Sequence, residues 1–299
     1  MNTQNKTLHK PLIDKETLNF GFTGFGLIGG SIAHSLRNLY PSSYITAYNY
    51  YVTKPHPKLE IAKKDGVLSE ISTSLKDFSK CDVIFLCAPV MTNVSYLKQL
   101  APYIKKDCII TDVGSVKGNI YKAALELGLS YNFIGGHPMT GSEKTGYNNS
   151  DASLLEGAYY ILTPTVDTPK EFTDWMAGFV KASGSYCEIM DYITHDLITA
   201  AISHCPHVIA SSLVNLVALH DKDGIYGRLA AGGFKDITRI SSSSPEMWQN
   251  ICLTNSGCIT NFLGEYIKSL EDIKNAIASN DSEKIIKFFE TAKEYRDNL

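Results

Sequence analysis

The segment Gly24-Phe25-Gly26-Leu27-Ile28-Gly29 restricts what this chain can fold into more than any other stretch. An apolar run, Leu18–Gly24, precedes it with strand character, and a helical pattern follows through Leu39. Three glycines at these offsets answer three separate demands. The first permits a tight turn off the strand, the second lets backbone approach a bulky anion, and the third lets the helix pack closely on the strand. The helix then starts with unsatisfied N–H groups and a partial positive charge, a ready site for phosphate. A strand, a glycine turn and a helix in this order read as the phosphate-binding end of a dinucleotide fold, with Gly24, Gly26, Leu27, Ile28 and Gly29 as cofactor-binding candidates.

The pattern around the turn is consistent with that reading. Tyr44–Tyr50, Asp82–Ala88, Cys108–Val113, Asn132–Gly136 and Ala158–Thr163 read as further strands, with helices expected near Leu59–Asp65 and Thr92–Tyr103. Strands alternating with helices imply parallel pairing through right-handed crossovers. The expected fold class is therefore α/β: an N-terminal Rossmann-type doubly wound sheet with a C-terminal all-helical domain. Beyond Thr168 the strand signals fade, and Lys170–Ala182, Asp191–His220, Pro245–Tyr266, Leu270–Ala276 and Asp281–Asp297 carry helical spacing. With Pro164 and Pro169 as punctuation, three parts are expected. These are a flexible arm over residues 1–18, a dinucleotide-binding domain over 19–168, and a helical substrate-binding and dimerisation domain over 169–299.

Composition narrows the function classes. The 299 residues are 44% apolar and 20% charged with a formal net charge of −3, and no basic stripe marks a nucleic-acid surface. The longest strongly apolar run, Val83 to Val90, is far short of the roughly 20 residues of a membrane span. The polar first residues lack the apolar stretch of a secretory signal. Seven scattered cysteines, an odd number without a C-x-x-C pair, suit reduced thiols in a cytoplasmic protein.

The second strand ends in Ala47-Tyr48-Asn49-Tyr50, where an acidic residue ordinarily holds the adenosine ribose. Asn49 can hydrogen-bond a ribose hydroxyl but does not repel a 2′-phosphate, and no arginine follows. NAD is the expected cofactor, with NADP not excluded.

Further motifs lie beyond the turn. Thr111-Asp112-Val113-Gly114-Ser115-Val116-Lys117 follows a strand, so its loop falls at the carboxyl edge of the sheet, where ligands bind in open α/β folds. Gly135-Gly136-His137-Pro138-Met139-Thr140-Gly141-Ser142-Glu143 puts a histidine at the same edge. In the helical half stand Ser203-His204-Cys205-Pro206-His207 and Gly232-Gly233-Phe234-Lys235-Asp236-Ile237-Thr238-Arg239.

In this combination and order, from Phe20 to the helices after Trp248, the chain resembles the prephenate and arogenate dehydrogenases of tyrosine biosynthesis. The resemblance implies an NAD-dependent oxidative decarboxylation of prephenate or arogenate. Hydride leaves the ring carbon bearing the 4-hydroxyl, and the ring carboxylate departs as carbon dioxide. It implies His137 as base or hydrogen-bond acceptor on the 4-hydroxyl, a task suited to imidazole near neutral pH. Ser115 resembles the serine that contacts the hydroxyl and the nicotinamide region; its structural alternative is a turn serine. Arg239 is the candidate grip on the ring carboxylate through its planar fork. Asp236 is placed in the same substrate-binding set and also offers the structural alternative, an ion pair with Arg239. His207 is expected to face substrate, His204 to join a polar network with Glu143, and Trp248 to form a pocket wall or a plain core packing.

His204 and His207, three apart, share a helix face, with Pro206 expected to kink the helix. No third ligand at useful spacing accompanies them, so no metal is expected. His195 and Asp196 also sit in a family-like stretch, but they are read as helix packing. Two other classes remain. A β-hydroxy-acid dehydrogenase would need a catalytic lysine in an apolar helical setting. A non-catalytic dinucleotide-binding protein would have no use for His137, Ser115, Arg239 and His207 together. The apolar-faced Leu197–Leu219 segment predicts a homodimer. The choice between prephenate and arogenate, and the holder of the side-chain carboxylate, stay open.

Overall fold

The computed structural model describes residues 17–51, 54–141 and 145–299. The chain divides into two compact units. One runs up to Thr199 and takes back Ser242–Thr254; the other comprises Ala200–Ser241 and Asn255–Leu299.

The first unit is built on strands β1 (Asn19–Thr23), β2 (Tyr44–Tyr48), β5 (Glu70–Ile71), β6 (Val83–Leu86), β7 (Ile109–Asp112), β8 (Phe133–Pro138), β9 (Tyr159–Pro164) and β10 (Tyr186–Ile189). They form one sheet in the order β10-β9-β8-β7-β6-β1-β2-β5, while β3 (Tyr50–Tyr51) and β4 (Lys54–Pro55) make a separate small hairpin. Helices α1 (Leu27–Leu39), α2 (Lys58–Lys64), α3 (Val90–Leu100), α4 (Gly118–Glu126), α5 (Lys170–Ala182) and α6 (Tyr192–Thr199) belong to it, as does α10 (Pro245–Thr254).

The sheet is buried on both faces because successive side chains along each strand alternate between them. Phe20, Phe22, Val83, Phe85, Ile109 and Ile134 meet Ile32 and Leu36 of α1 and Met176 and Phe179 of α5. Ile84, Leu86, Ile110 and Phe133 face Val94 and Leu97 of α3 and Ile120 and Ala124 of α4. Each fully buried Leu, Ile or Phe contributes about 1.5–3 kcal/mol.

Three features depart from the sequence expectation. Pairing is parallel from β5 to β8, but β8 and β9 are antiparallel. Their connection holds only short 3-10 turns, Tyr147–Asn149 and Ala152–Leu155, among the described residues, in place of the crossover helix that usually carries a parallel return. The boundary expected at residue 168 also moves. Both α5 and β10 continue the sheet-bearing unit, β10 lying parallel to β9 at its edge. The two-residue β5 at the other edge and the mostly exposed β10 lack an apolar run that would announce them. The expected arm lies, through residue 16, outside the described residues.

The second unit is all-helical: α7 (Cys205–His220), α8 (Ile225–Leu229), α9 (Gly232–Thr238), α11 (Ser256–Ala278) and α12 (Ser282–Asp297). The helix expected over 245–266 is two, separated at Asn255. The turn before α7, Ala200–His204, is a π-turn. Pro206 falls in the first turn of α7; it lacks an N–H and its ring crowds the carbonyl four residues earlier, so the expected kink takes the form of a widened turn. The run Tyr192–His220, 29 residues with 28% of its most apolar window buried, is long and apolar enough by composition to cross a membrane. The sequence reading, which looked for unbroken apolar residues, did not register it.

Candidate active site

The glycine turn follows β1 at the carboxyl edge of the sheet. Gly24 has φ +80°, and a Cβ there would lie 2.7 Å from the Ala88 nitrogen. A Cβ on Gly29 would come within 3.0 Å of Cys87 Cβ, so α1 sits directly against the β6 end. At Gly26 a Cβ would meet nothing within 4 Å, and Gly26 caps α1 without a side-chain hydrogen bond. Its neighbours Leu27 and Ile28 are half-buried. The turn thus offers first-turn N–H groups to open space, the arrangement that accepts a pyrophosphate. Asn49 follows directly on β2, and its carbonyl accepts from the His56 N–H at 2.7 Å.

Two and three strands from β1, β7 and β8 deliver a dense polar cluster to the same edge. Asp112, last in β7, accepts at Oδ2 from the Gly114 N–H (2.9 Å) and from Lys117 Nζ (2.5 Å). Lys117 Nζ also donates to the Gly136 carbonyl at 2.5 Å, and lysine and aspartate are both buried. Burial pushes the Lys117 amine down in pKa, and the Asp112 carboxylate opposes that shift. Close neighbours explain the Gly135-Gly136 step before His137. A Cβ on Gly136 would stand 2.5 Å from the Asp112 carbonyl oxygen, and one on Gly135 would run into Thr163 and crowd the Lys117 stem.

His137, buried at 9% exposure, is held by β8. Its Nδ1 shares a hydrogen bond with His195 Nε2 at 2.8 Å, and His195 Nδ1 shares another with Asp196 Oδ1 at 2.8 Å. Asp196 Oδ1 accepts from the Lys117 N–H at 2.8 Å, and Oδ2 accepts from the Gly118 N–H at 2.9 Å. Those two amides open α4, so the α6 carboxylate caps that helix and meets its positive end. Burial lowers the His195 pKa, with Asp196 opposing and Lys117 adding to the effect.

Ser115 is half-buried in the loop between β7 and α4. Next to it, Val116 packs with Val90 and Ile251, and Trp248 of α10 lies against this cluster. Trp248 is thus packed beside the Ser115 loop.

The remaining candidates belong to the second unit. His204 is fully buried, its Nδ1 3.2 Å from Asn255 Nδ2. Its expected partner Glu143 lies outside the described residues. His207 is half-buried, and its Nδ1 pairs with the Ser203 carbonyl at 2.9 Å. Its pKa is lowered by burial first and also by the positive charge of Arg239, against the pull of the Ser203 carbonyl. Arg239 and Asp236 are both exposed. Arg239 stands where α9 passes into a 3-10 turn, its charge acting on His207.

Residues 32–188 match the nucleotide-binding domain of prephenate dehydrogenase, and residues 192–291 match that family's dimerization domain. The chain belongs to the prephenate dehydrogenase family. A prephenate dehydrogenase of Bacillus subtilis (strain 168) is 36% identical over 281 residues, covering 92% of this chain and 74% of the relative. The crystal structure of the prephenate dehydrogenase from A. aeolicus, in complex with hydroxyphenyl propionate and NAD+, superposes with a TM-score of 0.85. It is 32% identical, over 93% of this chain and 97% of that one. The Synechocystis arogenate dehydrogenase structure gives a TM-score of 0.83 at 27% identity, over 94% of this chain and 99% of that one. Within this prephenate dehydrogenase-family chain, sequence reasoning passed over Asp112, Lys117, His195 and Asp196. Lys117 and Asp112 lie within the motif from Thr111 to Lys117, and opposite charges five apart across a glycine were the available signal. His195 and Asp196 sit in a family-like stretch, but helix packing accounted for them locally and their partners are distant in sequence.

Proposed function

We propose that this protein is an NAD-dependent prephenate dehydrogenase converting prephenate to 4-hydroxyphenylpyruvate and carbon dioxide. The observation that carries the proposal is His137, held on β8 by a buried chain of hydrogen bonds, at the same sheet edge as an open glycine turn. The family match over both parts of the chain supports it.

The first-turn amides of α1, with Gly24, Gly26, Leu27, Ile28 and Gly29, would hold the pyrophosphate, Asn49 would hold the adenosine ribose, and Ser115 would contact the nicotinamide region. The bound dinucleotide supplies a hydride acceptor. His137 takes the 4-hydroxyl proton as hydride departs from the ring carbon. The bond to the ring carboxylate then breaks, its electron pair enters the ring to make it aromatic, and His137 returns the proton to the phenolic oxygen. Positioning and proton handling suffice because aromatisation drives the step. Arg239 is the anchor for the ring carboxylate, with His207, Asp236, His204, Glu143 and Trp248 as the other substrate-binding residues.

The protein works as a homodimer in the cytoplasm, acting on a small molecule rather than nucleic acid or membrane. Ile202, Leu213, Leu216 and Leu219 are exposed apolar residues on and before α7, a surface that a second copy would cover. Sedimentation at micromolar concentration tests this, and a monomer would contradict it.

Initial rates of NADH formation with prephenate, beside an arogenate control, test the activity. Turnover of prephenate is expected. Turnover of arogenate alone would keep the chemistry and change the side-chain preference. Turnover of neither, with NAD or NADP, would reject the reading.

A further inference from the structure

Resting on the reading of His137 as proton acceptor, we propose that His195 and Asp196 are positioning residues that fix the His137 tautomer, leaving its acceptor lone pair on Nε2. The inference follows from counting donors and acceptors along the chain of contacts. The Lys117 and Gly118 amides can only donate, and they donate to Oδ1 and Oδ2 of Asp196. Asp196 is therefore an acceptor at both oxygens, so the proton of the 2.8 Å contact with His195 belongs to His195 Nδ1. A neutral imidazole protonated at Nδ1 has its lone pair on Nε2. His195 Nε2 then accepts, and the proton of the next 2.8 Å contact belongs to His137 Nδ1. The lone pair of His137 thus falls on Nε2, the nitrogen that would take a substrate proton. Burial of His195, with Lys117 nearby, favours the neutral ring that this order requires.

The arrangement also limits how His137 can turn. Nδ1 is tied through His195 to the first turn of α4, so rotation of the ring breaks a buried hydrogen bond. A side chain at Gly118 would approach Asp196 Oδ2 to 3.1 Å, so the glycine keeps the carboxylate seated. When His137 takes up a proton, the charge is shared along a path ending at a carboxylate, and no ring has to reorient.

Two variants and one spectrum test this. His195→Phe keeps an aromatic ring of similar size but removes the acceptor for His137 Nδ1. His195→Gln keeps an acceptor at the outer position. The expected result is a kcat with prephenate lowered roughly 100-fold in His195→Phe, with NAD affinity by fluorescence titration unchanged. His195→Gln should recover kcat to within about tenfold of wild type. Nitrogen-15 spectra of the wild-type imidazoles, taken without substrate, should show His137 protonated at Nδ1 and bare at Nε2. A proton on His137 Nε2 in that spectrum overturns the proposal even if neither variant folds. So does a folded His195→Phe protein with wild-type kcat. Because the tautomer is read without turnover, failure of the proposed activity is seen separately, as wild-type protein inactive on prephenate.

Discussion

His137 Nδ1 and His195 Nε2 stand 2.8 Å apart across 58 residues of sequence. One is carried by a central strand and the other by a helix that follows the last strand of the sheet. The contact exists only because β8 and α6 are both folded in place, and it converts a strand histidine into one of defined orientation.

His137→Asn should lower turnover roughly 100-fold or more, the usual effect of a lost general base. NAD affinity should stay near the wild-type value, since the glycine turn lies on β1. Steady-state kinetics beside a fluorescence titration of NAD separates the two, and unchanged turnover would remove His137 from the chemistry.

Arg239→Ala should chiefly raise the KM for prephenate, because a carboxylate anchor present in the ground state is lost. Its positive charge also holds down the His207 pKa, so that pKa should rise in the variant. Kinetics and an NMR titration of His207 check both, and an unaltered KM would return Arg239 to a structural role.

Asn49→Asp should leave NAD binding within a fewfold of wild type and weaken NADP binding at least roughly tenfold. A carboxylate at this position accepts from a ribose hydroxyl and repels a 2′-phosphate. Equilibrium titrations of both dinucleotides decide it; equal losses would mean that Asn49 does not face the ribose.

Lys117→Met leaves the Asp112 carboxylate buried without its ammonium partner. Removing one member of a buried pair costs about 3–5 kcal/mol. Adding Asp112→Asn should restore part of this. Denaturant midpoints of wild type, single and double variants measure it, and a single variant as stable as wild type would contradict the burial of the pair.

Stability should fall on the acid side of neutrality. His34, His195 and His207 all have folded pKa values lowered by burial, opposed by smaller contributions from nearby carboxylates or, for His207, a carbonyl. Below the unfolded value of about 6.5, the unfolded chain binds protons that the folded chain refuses. Their contribution is therefore complete above that pH and is lost as pH falls through the folded values. Melting temperatures recorded between about pH 8 and pH 5 should hold level and then drop below roughly 6.5. A flat profile down to pH 5 would count against it.

Much of this protein was determined by local sequence. The glycine turn needed only three spacings, since turn geometry and helix-end amides are properties of adjacent residues. Strands β1, β2, β6 and β7 were legible because burial on both faces demands short unbroken apolar runs. His137, Ser115 and Arg239 were legible as candidates because each stands in a short local motif. Tertiary structure alone decided the rest. The direction of β9 depended on whether its connection formed a crossover helix, and β10, half polar, became a strand because an edge was open to it. The Asp196–His195–His137 chain was invisible for the same reason. Its members lie on α6 and β8, its amide donors on α4, and hydrogen bonds between such distant residues have no periodicity in sequence. Local order follows from neighbouring residues, whereas the tautomer of one histidine follows from how three separate elements pack.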